Sequence, residues 1–440
     1  MQPKLVIFIL SAILQLTVTA SATPPTCQGV APNQTVTHFP STNISLPQSP
    51  WGLIYANDDI AFVSLGKYIG VLNTSATTPR LIRNVSLPTF NIYNDGWTDD
   101  NGAGELTISR NKRELWVALG PGAVVIDVEK ATSGDENPIA GKLVTPTFSS
   151  AAQVVLSPKE DYAFISQEYG NNATKSRGVV QVFMVDRSSG GSVSGTYIGY
   201  TELQLAVVGM ALSADGQSLF VTSEATLASV IKSGDRGILS VLDVAKLKTS
   251  PSKALKTSVD AGCEPVRVAV SPDGRKVWVT ARHSNRLVVF DSNNLINNYT
   301  SNALVTTIQV GTSPVGLIFV NNGRHVITAD SNRDNQGGAT TGLTIVNVDA
   351  ALTGTLRFPR IPTGLFPRSF AVNSNGSKLL VSQYESNAVQ ELDISHLSRN
   401  GTISTSPSTR PTAPFTGTAS KKLFGQVFML LSLLVAFILP

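Results

Sequence analysis

Glu105, Gln153, Arg267 and Arg368 stand where short apolar runs begin. Aligning these runs on the tight turn after each puts Gly52, Glu105, Gln153, Gly209, Arg267, Gly316 and Ser369 in one register, with Arg368 just before the last. If the runs lie side by side, one carboxylate faces two guanidinium groups. Such a fork can hold a carboxylate through paired charge-assisted hydrogen bonds, or polarise a lactone carbonyl. Glu105 and Arg267 are therefore candidate catalytic residues, and Gln153, Arg267 and Arg368 candidate ligand-binding residues for a small anionic molecule. Self-satisfied charge is the bland alternative. His283, beside Arg282, is the one histidine of four on the same side of the runs and completes the candidate catalytic set.

Other chemistry-bearing patterns are sparse. Neither Cys-x-x-Cys nor a Cys/His zinc spacing occurs. Asp95-x-x-x-Asp99-Asp100-Asn101 could offer oxygen ligands to calcium, but irregular acidic loops generally coordinate nothing. Gly120-Pro121-Gly122 sits in a hairpin with no helix after it, so it is no phosphate loop. No metal and no other cofactor is implied.

The elements that must position these residues are clearest in Val266–Ser292, VRVAVSPDGRKVWVTARHSNRLVVFDS. Three β-branched runs, Val266–Val270, Val277–Thr280 and Leu287–Phe290, read as strands. Ser271-Pro272-Asp273-Gly274 and His283-Ser284-Asn285-Arg286 supply the two turns. The unit recurs seven times, marked by AFVS, LWVA, AFIS, LFVT, VWVT, HVIT and LLVS, at intervals of 54, 48, 56, 58, 48 and 54 residues. The third strands end at Asn73, Asp127, Asp186, Asp243, Asp291, Asn347 and Asp393. Apolar faces that no unit buries alone become cores shared between neighbours.

Val268–Gly274, Val277–Ala281, Ser284-Asn285 and Leu287–Asp291 together resemble the YVTN-type β-propeller repeat, with Trp278 for Tyr and Ala281 for Asn. The resemblance implies an all-β fold, a seven-bladed propeller of four-stranded antiparallel blades. In such a ring the innermost strands line a channel, and Glu105, Gln153, Arg267 and Arg368 converge near its mouth. The fourth-to-first connections and second-to-third loops share that face. Gln167–Gly178, Ser223–Gly237, Ala329–Gly342 and the connection Pro88–Gly104 are its long segments. Asn43–Pro47 reads as a strand that closes the ring on blade seven, with Thr402–Thr405 a weaker alternative.

The ends give an address. Residues 1–22 combine Lys4, an apolar run and Ala20-Ser21-Ala22, the pattern of a secretory signal peptide. The propeller is expected over 23–403, and a Ser/Thr/Pro-rich stalk over 404–417. Residues 418–440 end in an apolar tail with no basic residue after it, the pattern of a removed glycosylphosphatidylinositol (GPI) signal. Gly417 is the preferred attachment residue, and Thr412-Ala413 remains open. Losing Lys4, Lys421 and Lys422 leaves 31 basic against 30 acidic residues, a net charge of +1. With no long basic run, nucleic acid is not an expected partner.

Sequons begin at Asn33, Asn43, Asn73, Asn84, Asn172, Asn298, Asn375 and Asn400, and behind a signal peptide they are candidate glycan sites. Cys27 and Cys263 are the only cysteines. In an oxidising compartment they most simply pair, with two buried or free thiols as the lesser alternative.

Two functions follow as expectations. The first is an extracellular, GPI-anchored monomer on the membrane's outer leaflet or the cell wall. It would act in ligand recognition or adhesion toward a small anionic ligand, a glycan or a surface protein, touching membrane through its lipid alone. The second rests on resemblance to secreted fungal chains similar to lactonases and carboxymuconate-cyclising enzymes. Those act on small carboxylated substrates through Arg, His and Glu.

Overall fold

The computed structural model describes residues 23–399, apart from residues 28, 30–32, 77, 91–101, 146, 227–233 and 334–339. The described chain is all-β but for short helical turns. It repeats one unit, a four-stranded antiparallel meander. The first runs Leu53–Tyr55, Ile60–Leu65, Tyr68–Asn73 and Arg80–Ser86. The fifth runs Pro265–Val270, Lys276–Ala281, Arg286–Asp291 and Leu304–Gln309, within a residue or two of the expected strands. The second and third meanders join into one eight-stranded sheet through a single parallel pair, Val193 with Gly141. Glycine is required there: a Cβ on Gly141 would lie 1.9 Å from the Val193 carbonyl oxygen.

The last meander is completed from the N-terminus. Ser41–Ser45 pairs antiparallel with Ala388–Asp393, Ile44 opposite Val389, two residues before the strand expected at Asn43–Pro47. The competing Thr402–Thr405 lies outside the described residues.

Packing follows from the period of two. In Lys276–Ala281, Val277, Val279 and Ala281 join a core with the fourth meander, while Trp278 points into the core with the sixth. In Ile60–Leu65, Phe62 faces the second meander, and Ala61, Val63 and Leu65 share a core with Leu380 and Val389 of the last. Each first strand lies beside the next, and Pro367–Val372 lies beside Leu53–Tyr55.

Two motif residues acquire physical roles. The terminal Asp or Asn of the third strand is an N-cap: Asp127, Asp243, Asp291 and Asn347 accept from the backbone N–H three residues on and start five- or six-residue helices. These helices are too short to show a helical period in sequence. Asn285 holds the left-handed conformation at φ 54° and closes its turn. Its side-chain oxygen accepts from the Ser313 N–H at 2.8 Å, and its amide nitrogen donates to the Gly29 carbonyl.

The fourth residue of the second-strand motif matters most. Five of the first strands carry a register irregularity at their start, as between Pro265 and Val268, which leaves main-chain groups without a ladder partner. Thr280 Oγ1 accepts from the Arg267 N–H at 3.0 Å and donates to the Val315 carbonyl of the next meander at 3.0 Å. Ser166, Thr222 and Ser382 repeat both bonds, the last reaching the Trp51 carbonyl of the first meander at 2.9 Å.

Thr280→Val keeps shape but strands two buried polar groups. It should lower stability by about 1–3 kcal/mol, whereas Thr196→Val on an exposed strand position should change it little; urea unfolding of both checks this.

Candidate functional site: a charged layer across the channel

The register residues do form a layer where the first strands meet. Glu105 sits just before Leu106–Ile108, and one carboxylate oxygen accepts from the Arg267 guanidinium of the fifth meander. The other accepts from the Ser369 hydroxyl of the last meander at 2.9 Å. Both charged side chains are nearly buried, at 14 % and 12 % exposure. Gln153 turns sideways instead: its oxygen accepts from the Met210 N–H at 2.8 Å and its nitrogen donates to the Met210 carbonyl at 3.2 Å. Glu105 and Arg267 thus bridge non-adjacent strands across the layer, while Gln153 ties two neighbouring ones together.

Arg368 behaves differently. Its guanidinium carbon lies 3.2 Å over the Trp51 ring centroid and 5.7 Å from that of Phe366. Trp51 meets Tyr384 edge-on, and Tyr384 packs on Phe366, so the cation sits in an aromatic box. Burial first, then the nearby Arg267, brings its pKa down to about 9, against the pull of Glu105.

A cavity of ≈ 360 Å³ runs beside this layer, lined by Glu105, Gln153, Arg267, Arg368 and Ser369 together with apolar residues further along the strands. Its direction corrects the expectation of a mouth at the strand starts. On that side Val208, Val266, Val315 and Phe366 form an apolar cluster, with Ala152 and Tyr384 packed against it. The cavity extends the other way, past Leu53–Tyr55, Leu317-Ile318 and Phe370–Val372, toward the first-to-second-strand turns. Valines immediately before the register positions carried this signal in sequence.

His283 is not brought to the layer. It lies in the turn Arg282–Ser284, 6 % exposed, against Gly234, where a Cβ would come within 3.3 Å of its ring. The catalytic set of Glu105, Arg267 and His283 is therefore not assembled: the histidine packs by the N-terminal arm and does not line the cavity. Cys27 and Cys263 form a disulfide there, with Cα atoms 5.5 Å apart.

A second charged knot was not anticipated. Arg282 donates to Glu264 at 2.9 Å and to Glu224 at 3.2 Å, joining the fourth and fifth meanders, and all three are buried. In sequence, Glu224 and Arg282 each stand two residues past the Ser/Thr of the second-strand motif. Asp330 holds the same place in the sixth meander. It is fully buried and accepts from Thr328 at 2.8 Å and Thr344 at 2.6 Å; burial pushes its pKa up to about 7 despite these bonds.

Among the sequons, Asn33, Asn43, Asn84, Asn172, Asn298 and Asn375 are exposed. Asn73 is half-buried, and its side-chain oxygen holds a turn by accepting from the N–H groups of Ser75 and Ala76. Asn400 and Gly417 lie outside the described residues, as do Asp95, Asp99, Asp100 and Asn101 and parts of the long loops at 227–233 and 334–339. Among the described residues, no cluster of three His, Cys, Asp or Glu could hold a metal.

No protein-family model matches the chain, and no curated protein matches its sequence. Solved structures do. A chain of Kuenenia stuttgartiensis hydrazine synthase superposes with TM-score 0.58 at 12 % identity, over 80 % of this chain and 96 % of that one. A chain of a mitotic checkpoint complex gives 0.56 at 13 %, over 90 % and 99 %. The β-propeller domain of Myceliophthora thermophila Cps50 (Swd1) gives 0.55 at 11 %, over 81 % and 100 %. The fold is that of a β-propeller. At such identities the likeness concerns the fold alone.

Arg267→Ala leaves the Glu105 carboxylate buried with one hydroxyl partner, and should cost about 3–5 kcal/mol; the double variant Glu105→Leu/Arg267→Met should recover most of that. Denaturant unfolding reads both.

Asp330 holds its proton more tightly folded than unfolded, where its pKa is near 3.8. Its contribution to stability should therefore fall as pH rises from about 4 to 7, by on the order of 4 kcal/mol, and level off above. Asp330→Asn should remove that slope, so the melting-temperature difference between variant and parent should grow in the variant's favour from pH 4 to 7.

Proposed function

We propose that the chain is a seven-bladed β-propeller, closed by its N-terminal strand, that serves outside the cell as a GPI-anchored ligand-recognition or adhesion module. The four-stranded meanders, the shared cores and the pairing of Ser41–Ser45 with Ala388–Asp393 support the blade count and closure. The signal-like first 22 residues, the stalk and the apolar tail support the address, and exposed sequon asparagines suit a glycoprotein surface.

One observation carries recognition over catalysis: both oxygens of Glu105 already accept hydrogen bonds, from Arg267 and Ser369. A general acid or base must reach the proton it moves, and a carboxylate cross-linking two strands is poorly free to do so. The lactonase-like alternative also needs a histidine near Glu105, and His283 is packed elsewhere.

The test is made on the full chain expressed at a cell surface. Phosphatidylinositol-specific phospholipase or wall digestion should release it, and the released protein should bind a glycan or surface-protein array while leaving a panel of lactones and carboxylates chemically unchanged. Detection of residues 423–440 in the mature protein would defeat the anchor, and turnover of any panel member would replace recognition by catalysis.

A further inference from the structure

Arg368 is 9 % exposed, and its Nε is buried with no hydrogen-bond partner. Among the described residues, none accepts a hydrogen bond from its guanidinium. The other buried arginines differ: Arg267 is held by Glu105, and Arg282 by Glu224 and Glu264. Stacking on Trp51 steadies the cation but gives its N–H groups no acceptor. A buried charge left in that state is costly unless something else supplies one.

The cavity shows what that acceptor looks like. Its charged lining residues are Glu105, Arg267 and Arg368, a formal +1, and Glu105 and Arg267 are already committed to each other. Glu168 pulls on Arg368 from outside the lining but accepts no hydrogen bond from it, so one anionic acceptor at the guanidinium balances the lining residues. The walls beyond the charged layer are apolar, including Leu53, Leu106, Val268, Leu317, Phe370 and Val372, and ≈ 360 Å³ suits a small ligand. A lone inorganic anion would leave those walls unfilled.

We propose that the channel cavity binds a small monocarboxylate with an apolar body, its carboxylate against Arg368, entering from the face of the first-to-second-strand turns. The apolar cluster of Val208, Val266, Val315 and Phe366 backs the site on the opposite side. This rests on the reading of the propeller as a recognition module, since the ligand is held and not transformed.

The test titrates the full-length protein with benzoate, its neutral analogue benzamide, and acetate. Melting temperature and indole fluorescence are the readouts, because Trp51 lies under the guanidinium. Benzoate should raise the melting temperature, change the fluorescence saturably, and bind at least about 30-fold more tightly than benzamide or acetate. Arg368→Gln should lose about 30-fold or more, Arg368→Lys should recover part, and the exposed Lys256→Gln should match the parent. Should Arg368→Gln not fold, Leu317→Phe keeps the charge, narrows the cavity and should show the same loss. Equal affinity for benzoate and benzamide, acetate binding as well as benzoate, or a folded Arg368→Gln or Leu317→Phe binding like the parent would overturn the proposal. A chain that binds its surface partner yet ignores benzoate retires the cavity ligand alone; one that binds benzoate but resists release retires the anchor alone.

Discussion

The structure depends on a hydroxyl placed between two strands that are not each other's partners. First strands start irregularly, which frees a backbone N–H, and the next meander presents a carbonyl at the same height. A Ser or Thr hydroxyl on the second strand satisfies both at once, since it can accept and donate. Ser166, Thr222, Thr280 and Ser382 do so. Three meanders depart from the rule. Ser64 makes only the second bond, donating to the Gly104 carbonyl at 2.7 Å. Ala118 has no hydroxyl, and the Glu105 N–H reaches the Ala152 carbonyl at 2.9 Å through the main chain. Thr328 gives its hydroxyl to Asp330 instead. The departures at Ala118 and Thr328 fall beside an unusual buried acid, Glu105 in one case and Asp330 in the other.

The same geometry decides which charges are structural. Strands locked at this height bring Arg267 and Ser369 within bonding distance of Glu105 across the layer, although they stand 162 and 264 residues from it in sequence. Buried ion pairs of this kind contribute little net stability when intact and cost much when halved. Arg368 is one residue from Ser369 but points into the Trp51, Phe366 and Tyr384 box, where Glu105 and Glu168 pull on its charge without accepting a hydrogen bond from it. A single step along a strand thus separates a cross-link from an unsatisfied cation.

The N-terminal arm applies a second constraint from outside. The Pro25 carbonyl accepts from Arg236, Cys27 is bonded to Cys263, and the Gly29 carbonyl accepts from Asn285. Gln34 donates to Thr344, Thr37 pairs with Arg360, and Ser41–Ser45 then joins the last meander. The arm therefore touches the fourth, fifth and sixth meanders in turn before it becomes a strand of the last. Thr344 couples it inward, because that hydroxyl donates to Asp330 while accepting from Gln34.

Local chemistry made much of this legible. Short β-branched apolar runs marked the strands, Ser-Pro-Asp-Gly and Ser-Asn marked the turns, and the recurrence of both called for shared cores. Asn43–Pro47 was readable as a strand because every other meander is preceded by one. The caps after Asp127, Asp243 and Asp291 were not, since helices of five or six residues have no period to detect. The charged register could be aligned in sequence, but not which members would pair, because the partners of Glu105 depend on strands far apart in the chain. The direction of the cavity, the exile of His283 to the arm and the isolation of Arg368 were likewise decided by tertiary structure alone. Each depends on which side chain fills the space across a channel, and periodicity along one strand carries no information about that.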